Sequence, residues 1–284
     1  MSELTLSVTP PGTDRVARAA RQAAKVRRWG WWYQAEWRLF SMKAYLSSIF
    51  GWAVLVPLLY VLAMGVGLGT LVDGRSGGID GVPYLTFVAP GLLVSTAVMS
   101  FSNEMMFPVM SGFKWQELYF ARAATSASAG QVAIAELVAV TIRSLGESAI
   151  FWVVLISLGA TSGGLSALMI PIGALSGLAL GAPIAAYSAT LANEGFQFSM
   201  IQRFVLNPMF LFAGTFYPLA TMPIYLQWIG WISPMWHGTQ LARALSFGLP
   251  LSGPEIAFHV SFLVLAAAIG CALTVRNFRR RLTK

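Results

Sequence analysis

Residues 148–193 read SAIFWVVLISLGATSGGLSALMIPIGALSGLALGAPIAAYSATLAN, a run of 46 residues without one Asp, Glu, Lys or Arg. As a single α-helix the run would extend about 69 Å at 1.5 Å per residue. That is more than twice the ~30 Å hydrocarbon core of a bilayer. It therefore reads as two membrane crossings, divided at Gly159-Ala160-Thr161-Ser162-Gly163-Gly164, where glycine and small polar residues interrupt the apolar pattern. The first crossing runs from about Gln131 to Leu158 and the second from about Leu165 to Leu191.

The same reading extends in both directions. Upstream, Ala44 to Val72 carries no charge and predicts a span over Ile49–Leu71. A turn-rich loop follows at Asp73-Gly74-Arg75-Ser76-Gly77-Gly78, then a span over Tyr84–Glu104 with a kink at Pro90-Gly91. Downstream, Phe204 to Ala242 is uncharged but broken by Pro208, Pro218, Pro223 and Pro234, and Ile256 to Val275 forms a clean last span. The expected fold class is an all-α membrane protein of six transmembrane helices. Composition agrees: 56% of residues are hydrophobic and 11% charged, with mean hydropathy +0.66. A soluble domain carries roughly a quarter of its residues as charges.

The formal net charge of +8 sits mostly at the two ends of the chain. Eight of the nineteen Lys and Arg precede Ala44 and five follow Val275, a distribution suited to a membrane surface and not to nucleic acid. Residues 1–43 hold no apolar stretch of signal-peptide type, so the first apolar run is expected to stay as a span. With the N-terminus in the cytoplasm and six alternating spans, sixteen positive residues fall inside, and only Arg75 and Arg243 fall outside. That bias predicts a multi-pass protein of the plasma or inner membrane with both termini cytoplasmic. The expected organisation is a disordered tail at 1–13, a cytoplasmic amphipathic elbow helix at 14–45 and a six-span domain at 46–284.

Within the elbow, Arg15, Arg18, Gln22, Lys25 and Arg28 recur at helical spacing, followed by Trp29, Trp31, Trp32, Tyr33 and Trp37. The segment reads either as a surface-lying helix or as a basic tail with a topology signal. Between the second and third spans, Phe113-Lys114-Trp115-Gln116-Glu117-Leu118-Tyr119-Phe120 mixes charge with large aromatics. It reads as a short helix offering Phe113, Trp115, Leu118 and Tyr119 to a soluble partner, or as an interfacial loop anchored in lipid. In the third span, Glu136, Arg143 and Glu147 share one helix face. A charge at mid-bilayer costs about 3 kcal/mol even on lenient scales. The three form either a substrate or proton pathway or, preferably, an ion pair that locks the bundle, with Glu136 near the cytoplasmic surface.

His237 and His259 stand alone in the sequence, the single Cys271 lies in an apolar run, and no spacing suits a metal or a catalytic constellation. None of Lys25, Lys43, Lys114 or Lys284 precedes Ser or Thr, so the chain lacks a phosphate loop. The expectation is a transport subunit that is not an enzyme and binds no cofactor itself.

The segment Phe210-Leu211-Phe212-Ala213-Gly214-Thr215-Phe216-Tyr217-Pro218-Leu219, then Met222-Pro223 and Leu226 through Gly238, resembles the C-terminal motif of type-2 ABC exporter permeases. It is most similar to the branch of nodulation lipooligosaccharide and anthracycline exporters. The resemblance implies that the chain after the fifth span re-enters the membrane as short broken helices, with Gly214, Tyr217, Pro218, Pro223, Pro234 and His237 in the motif. Trp228, Trp231 and Trp236 would then lie at the outer interface, and Phe113–Arg122 would be a coupling helix docking on an ATP-binding ABC subunit. Many relatives carry a proline shortly after that helix, whereas here Ala123 to Ala129 follows. The implied assembly is a homodimer of permeases in membrane lipid, with ATP and Mg on the partner subunits. The implied cargo is an amphipathic substrate such as a lipid-linked saccharide, lipooligosaccharide or glycolipid. Alternatives are a multidrug or antibiotic exporter of the same family, a proton-coupled secondary transporter using Glu136, Arg143 and Glu147, and a non-transporting scaffold.

Overall fold

A computed structural model describes residues 13–45, 47, 51, 55, 58–161, 164–193 and 195–283. Most of the expected tail and the first half of the expected first span lie outside the described residues. Among the described residues the structure is helical throughout, with one isolated bridge between Ile79 and Val82. A long N-terminal helix, α1 (Thr13–Met42), precedes α2 (Leu58–Arg75) and α3 (Tyr84–Met105). Two short helices follow, α4 (Phe107–Lys114) and α5 (Leu118–Ala123), then α6 (Ala129–Ser157) and α7 (Met169–Ser188). The remainder comprises α8 (197–212), the short α9 (Ile224–Trp231), α10 (Pro234–Phe247) and the long α11 (Gly253–Leu282).

Local chemistry sets these boundaries. Capping boxes, Ser128 with Gln131 and Ser252 with Glu255, open α6 and α11 by satisfying two orphan backbone donors each. The Asp73 carboxylate accepts from the Tyr84 N–H at 2.9 Å, so the end of α2 caps the start of α3. Helix α6 ends at Ser157 and α7 begins at Met169, so the glycine-rich stretch of the sequence falls between two helices, as the composition of 148–193 predicts.

Among the described residues, five helical segments are long and apolar enough to cross a bilayer: Leu58–Arg75, Tyr84–Lys114, Ala129–Ser157, Gly164–Ser188 and Gly253–Leu282. The expected fifth span differs. Helix α8 extends about 24 Å, short of the hydrocarbon thickness, because the chain leaves the helix at Ala213 and turns at Gly214, whose φ is +77°.

Helix α7 is the hub of the bundle, packing against α3, α6, α10 and α11. Its glycines permit this. A Cβ on Gly181 would stand 2.2 Å from the Phe101 ring of α3, and one on Gly177 3.1 Å from the Ala97 carbonyl oxygen. Conversely, a Cβ on Gly270 of α11 would stand 2.4 Å from the Pro183 ring of α7. Close approach of small residues drives helix association where lipid removes the hydrophobic incentive. The bundle has two distinct ends. One gathers α1, α4, α5 and the Arg-rich end of α11, around a core of Met105, Phe113, Tyr119 and Phe278. The other gathers the α2–α3 loop, the segment 213–223 and the start of α11.

Candidate functional site

At the basic end, the sequence expected one helix over Phe113–Arg122. The structure breaks it. Helix α4 ends at Lys114, Glu117 sits in the left-handed region at φ +48°, and α5 starts at Leu118. The break turns the aromatics in opposite directions. Phe113 and Tyr119, each 2% exposed, point into the bundle and pack on Phe278 with ring centroids 4.8 and 5.0 Å away. They are therefore anchors and not an offered surface. Trp115 and Phe120 are 46% and 42% exposed, Gln116 and Glu117 beside them are exposed too, and Leu118 and Lys114 are half-buried. Burial, then the Glu136 carboxylate, holds the Tyr119 phenol well above its usual range.

Behind this corner runs an ionic chain. Arg122, 5% exposed, pairs with Glu136 at 3.3 Å and donates to the Gln34 side chain at 2.7 Å. Glu136 accepts from Arg38 of α1 at 2.8 Å. Arg38 reaches Glu104 of α3 at 3.3 Å, Glu104 pairs with Arg143 at 2.5 Å, and Arg143 pairs with Glu147 at 2.7 Å. Ser100 of α3 donates to Glu147 at 2.6 Å. Three guanidinium and three carboxylate groups thus join α5, α1, α3 and α6 in one neutral string. The expected Arg143–Glu147 pair is present, but Glu136 belongs with Arg38 and Arg122. The sequence signal for these partners was available: three carboxylates in or beside apolar spans need three counter-charges, and Arg143 supplies one.

At the other end, Arg243, which the charge bias assigns to an outside segment, is 1% exposed. Its guanidinium donates to the carbonyls of Gly214 at 2.8 Å, Thr215 at 3.1 Å and Phe87 at 3.3 Å, and stacks 3.7 Å over the Phe87 ring. The Tyr84 hydroxyl donates to the Phe216 carbonyl and Ser95 bonds Thr215. The irregular backbone at 213–217 is thereby satisfied by α3 and α10, as buried backbone requires. Tyr217 donates to the Leu211 carbonyl, Pro218 stands extended before the turn Leu219–Thr221, and Pro223 and Pro234 start α9 and α10.

The two histidines, isolated in sequence, meet in space. Their Nδ1 atoms lie 2.7 Å apart, and His237 Nε2 lies 3.0 Å from the Trp231 carbonyl. A carbonyl only accepts, so His237 donates from Nε2, and its Nδ1 accepts the Nδ1–H of His259. The pair pins α10 to α11. Trp236 is half-buried against both rings, whereas Trp228 and Trp231 are exposed on α9. No group of three or more His, Cys, Asp or Glu that could hold a metal occurs among the described residues.

Residues 33–247 match the ABC-2 type transporter family. This chain belongs to that family. Nodulation protein J of Rhizobium meliloti is 30% identical over 257 residues, which cover 89% of this chain and 95% of that protein. Nodulation protein J of Sinorhizobium fredii is 27% identical over 265 residues, covering 92% and 98%. The ABC-2 chain is thus a membrane permease of an ABC transporter, similar to nodulation protein J, and membership of the family implies pairing with an ATP-binding ABC subunit. The matched region contains the ionic chain, the Phe107–Ala123 corner and the Arg243 cluster. It leaves out the basic half of α1 and all of α11, so the His237–His259 bond joins a matched helix of this ABC-2 permease to an unmatched one.

Proposed function

We propose that this permease is the membrane half of an ATP-driven exporter, with two copies forming the pathway and separate ATP-binding subunits, carrying ATP and Mg, docked on its basic end. In this reading the basic end is cytoplasmic, as the distribution of Lys and Arg favours. Helix α8 completes a sixth crossing together with α9 and α10, which re-enter from outside. The coverage of carbonyls 214–216 by Arg243 and Tyr84 supports that re-entry. The cargo is amphipathic, a lipid-linked saccharide or glycolipid ahead of a hydrophobic drug.

One observation carries the reading. Trp115 and Phe120 project outward from a corner whose roots, Phe113, Tyr119 and Arg122, are buried, and Arg122 is paired to Glu136 and through it to Arg38 and Glu104. A push on the exposed tip is delivered to α1, α3 and α6 together, a rigid-body device. Each of the three carboxylates is engaged by a guanidinium, which supports a lock and disfavours a proton relay. The test is reconstitution of the permease with its co-purifying ATP-binding subunit in vesicles. Cargo movement is expected only with hydrolysable ATP. Movement that persists without the subunit and collapses with the proton gradient would sink the proposal.

A further inference from the structure

A cavity of about 400 Å³ opens at the basic end between the last turns of α7 and α11, lined by Ala189, Thr190, Ala192, Asn277, Arg280 and Arg281. Helix α11 fixes its walls. Asn277 donates to the Ala186 carbonyl at 2.9 Å, and Arg281 donates from Nη1 alone to the carbonyls of Ala189 and Leu191, both at 2.8 Å. The second amide hydrogen of Asn277, the Nε and Nη2 hydrogens of Arg281 and the whole Arg280 guanidinium have no acceptor among the described residues. The ionic chain behind the docking corner matches each carboxylate with an arginine. By contrast, no carboxylate among the described residues forms an ion pair with Arg276, Arg279, Arg280 or Arg281. An apolar track leads to these charges. Leu265, Ile269 and Leu273 are exposed on α11, and Arg276 and Arg280 continue the same face at three- and four-residue steps.

We propose that this cavity holds the phosphate of an anionic glycerophospholipid from the surrounding bilayer, a resident lipid and not cargo, with an acyl chain along Leu273, Ile269 and Leu265. Guanidinium forks bind phosphate oxygens in pairs, and basic pockets between helices at the membrane surface take anionic headgroups. A choline head would bring a fixed cation against Arg280 and Arg281, with no lining carboxylate or aromatic ring to receive it. A free phosphate would satisfy the guanidinium groups but leave the apolar track unused. The Arg281 guanidinium also stacks 4.3 Å over the Phe113 ring, so an occupied cavity braces one root of the docking corner.

The experiment places the full-length permease in phosphatidylcholine nanodiscs doped with phosphatidylglycerol that carries a diazirine on its acyl chain, and maps adducts by peptide mass spectrometry. Adducts are expected on the peptides holding Tyr187–Ala192 and Leu265–Arg280, competed by unlabelled phosphatidylglycerol but not by inorganic phosphate. Arg280→Gln, at an exposed position, is expected to raise the half-saturating fraction of label about fivefold, the worth of one cation at a lipid surface, with thermal unfolding unchanged. Arg18→Gln, which removes a charge also exposed but on α1, is expected to leave saturation as it was. Equal shifts in both variants reduce the effect to the basic surface as a whole and overturn the site. Unchanged saturation in Arg280→Gln, competition by inorganic phosphate, or adducts elsewhere overturns it too, as does a face closed to the label by a second copy of the chain. Every readout uses the permease alone, so this inference stands or falls separately from the exporter reading.

Discussion

Replacing Glu136 with Gln is the sharpest perturbation of the ionic chain. Glu136 is 2% exposed and accepts from Arg38 and Arg122 at once. Removing one partner of a buried pair costs about 3–5 kcal/mol, because the surviving charge is left uncompensated. Here the low end applies, about 3 kcal/mol. Arg38 retains Glu104, and Arg122 retains the Gln34 side chain and carbonyl. The remaining string nevertheless holds three guanidinium groups against two carboxylates. A second change, Arg122→Met, restores neutrality, leaving Arg38, Glu104, Arg143 and Glu147 balanced. The double variant is therefore expected to be more stable than the sum of the single effects by about 1–3 kcal/mol, the range of coupled neighbours. Equilibrium unfolding in mixed micelles, run as a double-mutant cycle, measures this directly. Additivity within about 0.5 kcal/mol would refute the idea that the six groups act as one neutral unit.

Four further outcomes follow from the packing. Trp115→Ala with Phe120→Ala is expected to leave unfolding within about 0.5 kcal/mol of wild type, as exposed substitutions do, while abolishing pull-down of the ATP-binding subunit. Tyr119→Ala should instead cost about 3–5 kcal/mol through the cavity beside Phe113 and Phe278, read in the same unfolding assay. Arg243→Met strands the carbonyls of Gly214 and Thr215, at about 1–3 kcal/mol for each buried group left unpaired, and hydrogen exchange should accelerate across 213–231. Arg243→Lys should fail to restore protection, since an ammonium cannot span the fork. Gly270→Ala drives a methyl into the Pro183 ring and backbone, which cannot rotate aside, and thermal unfolding should show a loss of about 1–3 kcal/mol.

The spans were legible because lipid imposes one rule on many residues at once. The boundaries of α3, α6 and α7 follow from uncharged length and glycine-rich breaks, and no tertiary knowledge is needed to place them. Helix α8 was less legible. Its pattern stays apolar past Gly214, and only the φ of +77° there shows that the helix has ended. The end of α11 was also underestimated. Arg276, Arg279, Arg280 and Arg281 look like a tail, yet Arg281 donates to the Ala189 and Leu191 carbonyls at 2.8 Å and continues the helix to Leu282.

The docking corner shows why side-chain roles resisted the same treatment. Phe113 and Tyr119 are six residues apart, a spacing that places them on different faces of a continuous helix. They come together, with ring centroids 4.6 Å apart, only because Glu117 adopts a left-handed conformation that costs a non-glycine residue about 1–2 kcal/mol. Glycine would have announced that turn, whereas glutamate hides it. The compensation lies in what the turn permits. Tyr119 enters the core, its neighbour Arg122 reaches Glu136, and the rings at 115 and 120 are pushed outward. The local sequence preference and the packed structure conflict at one residue, and at that residue the buried ionic string is joined to the exposed tip.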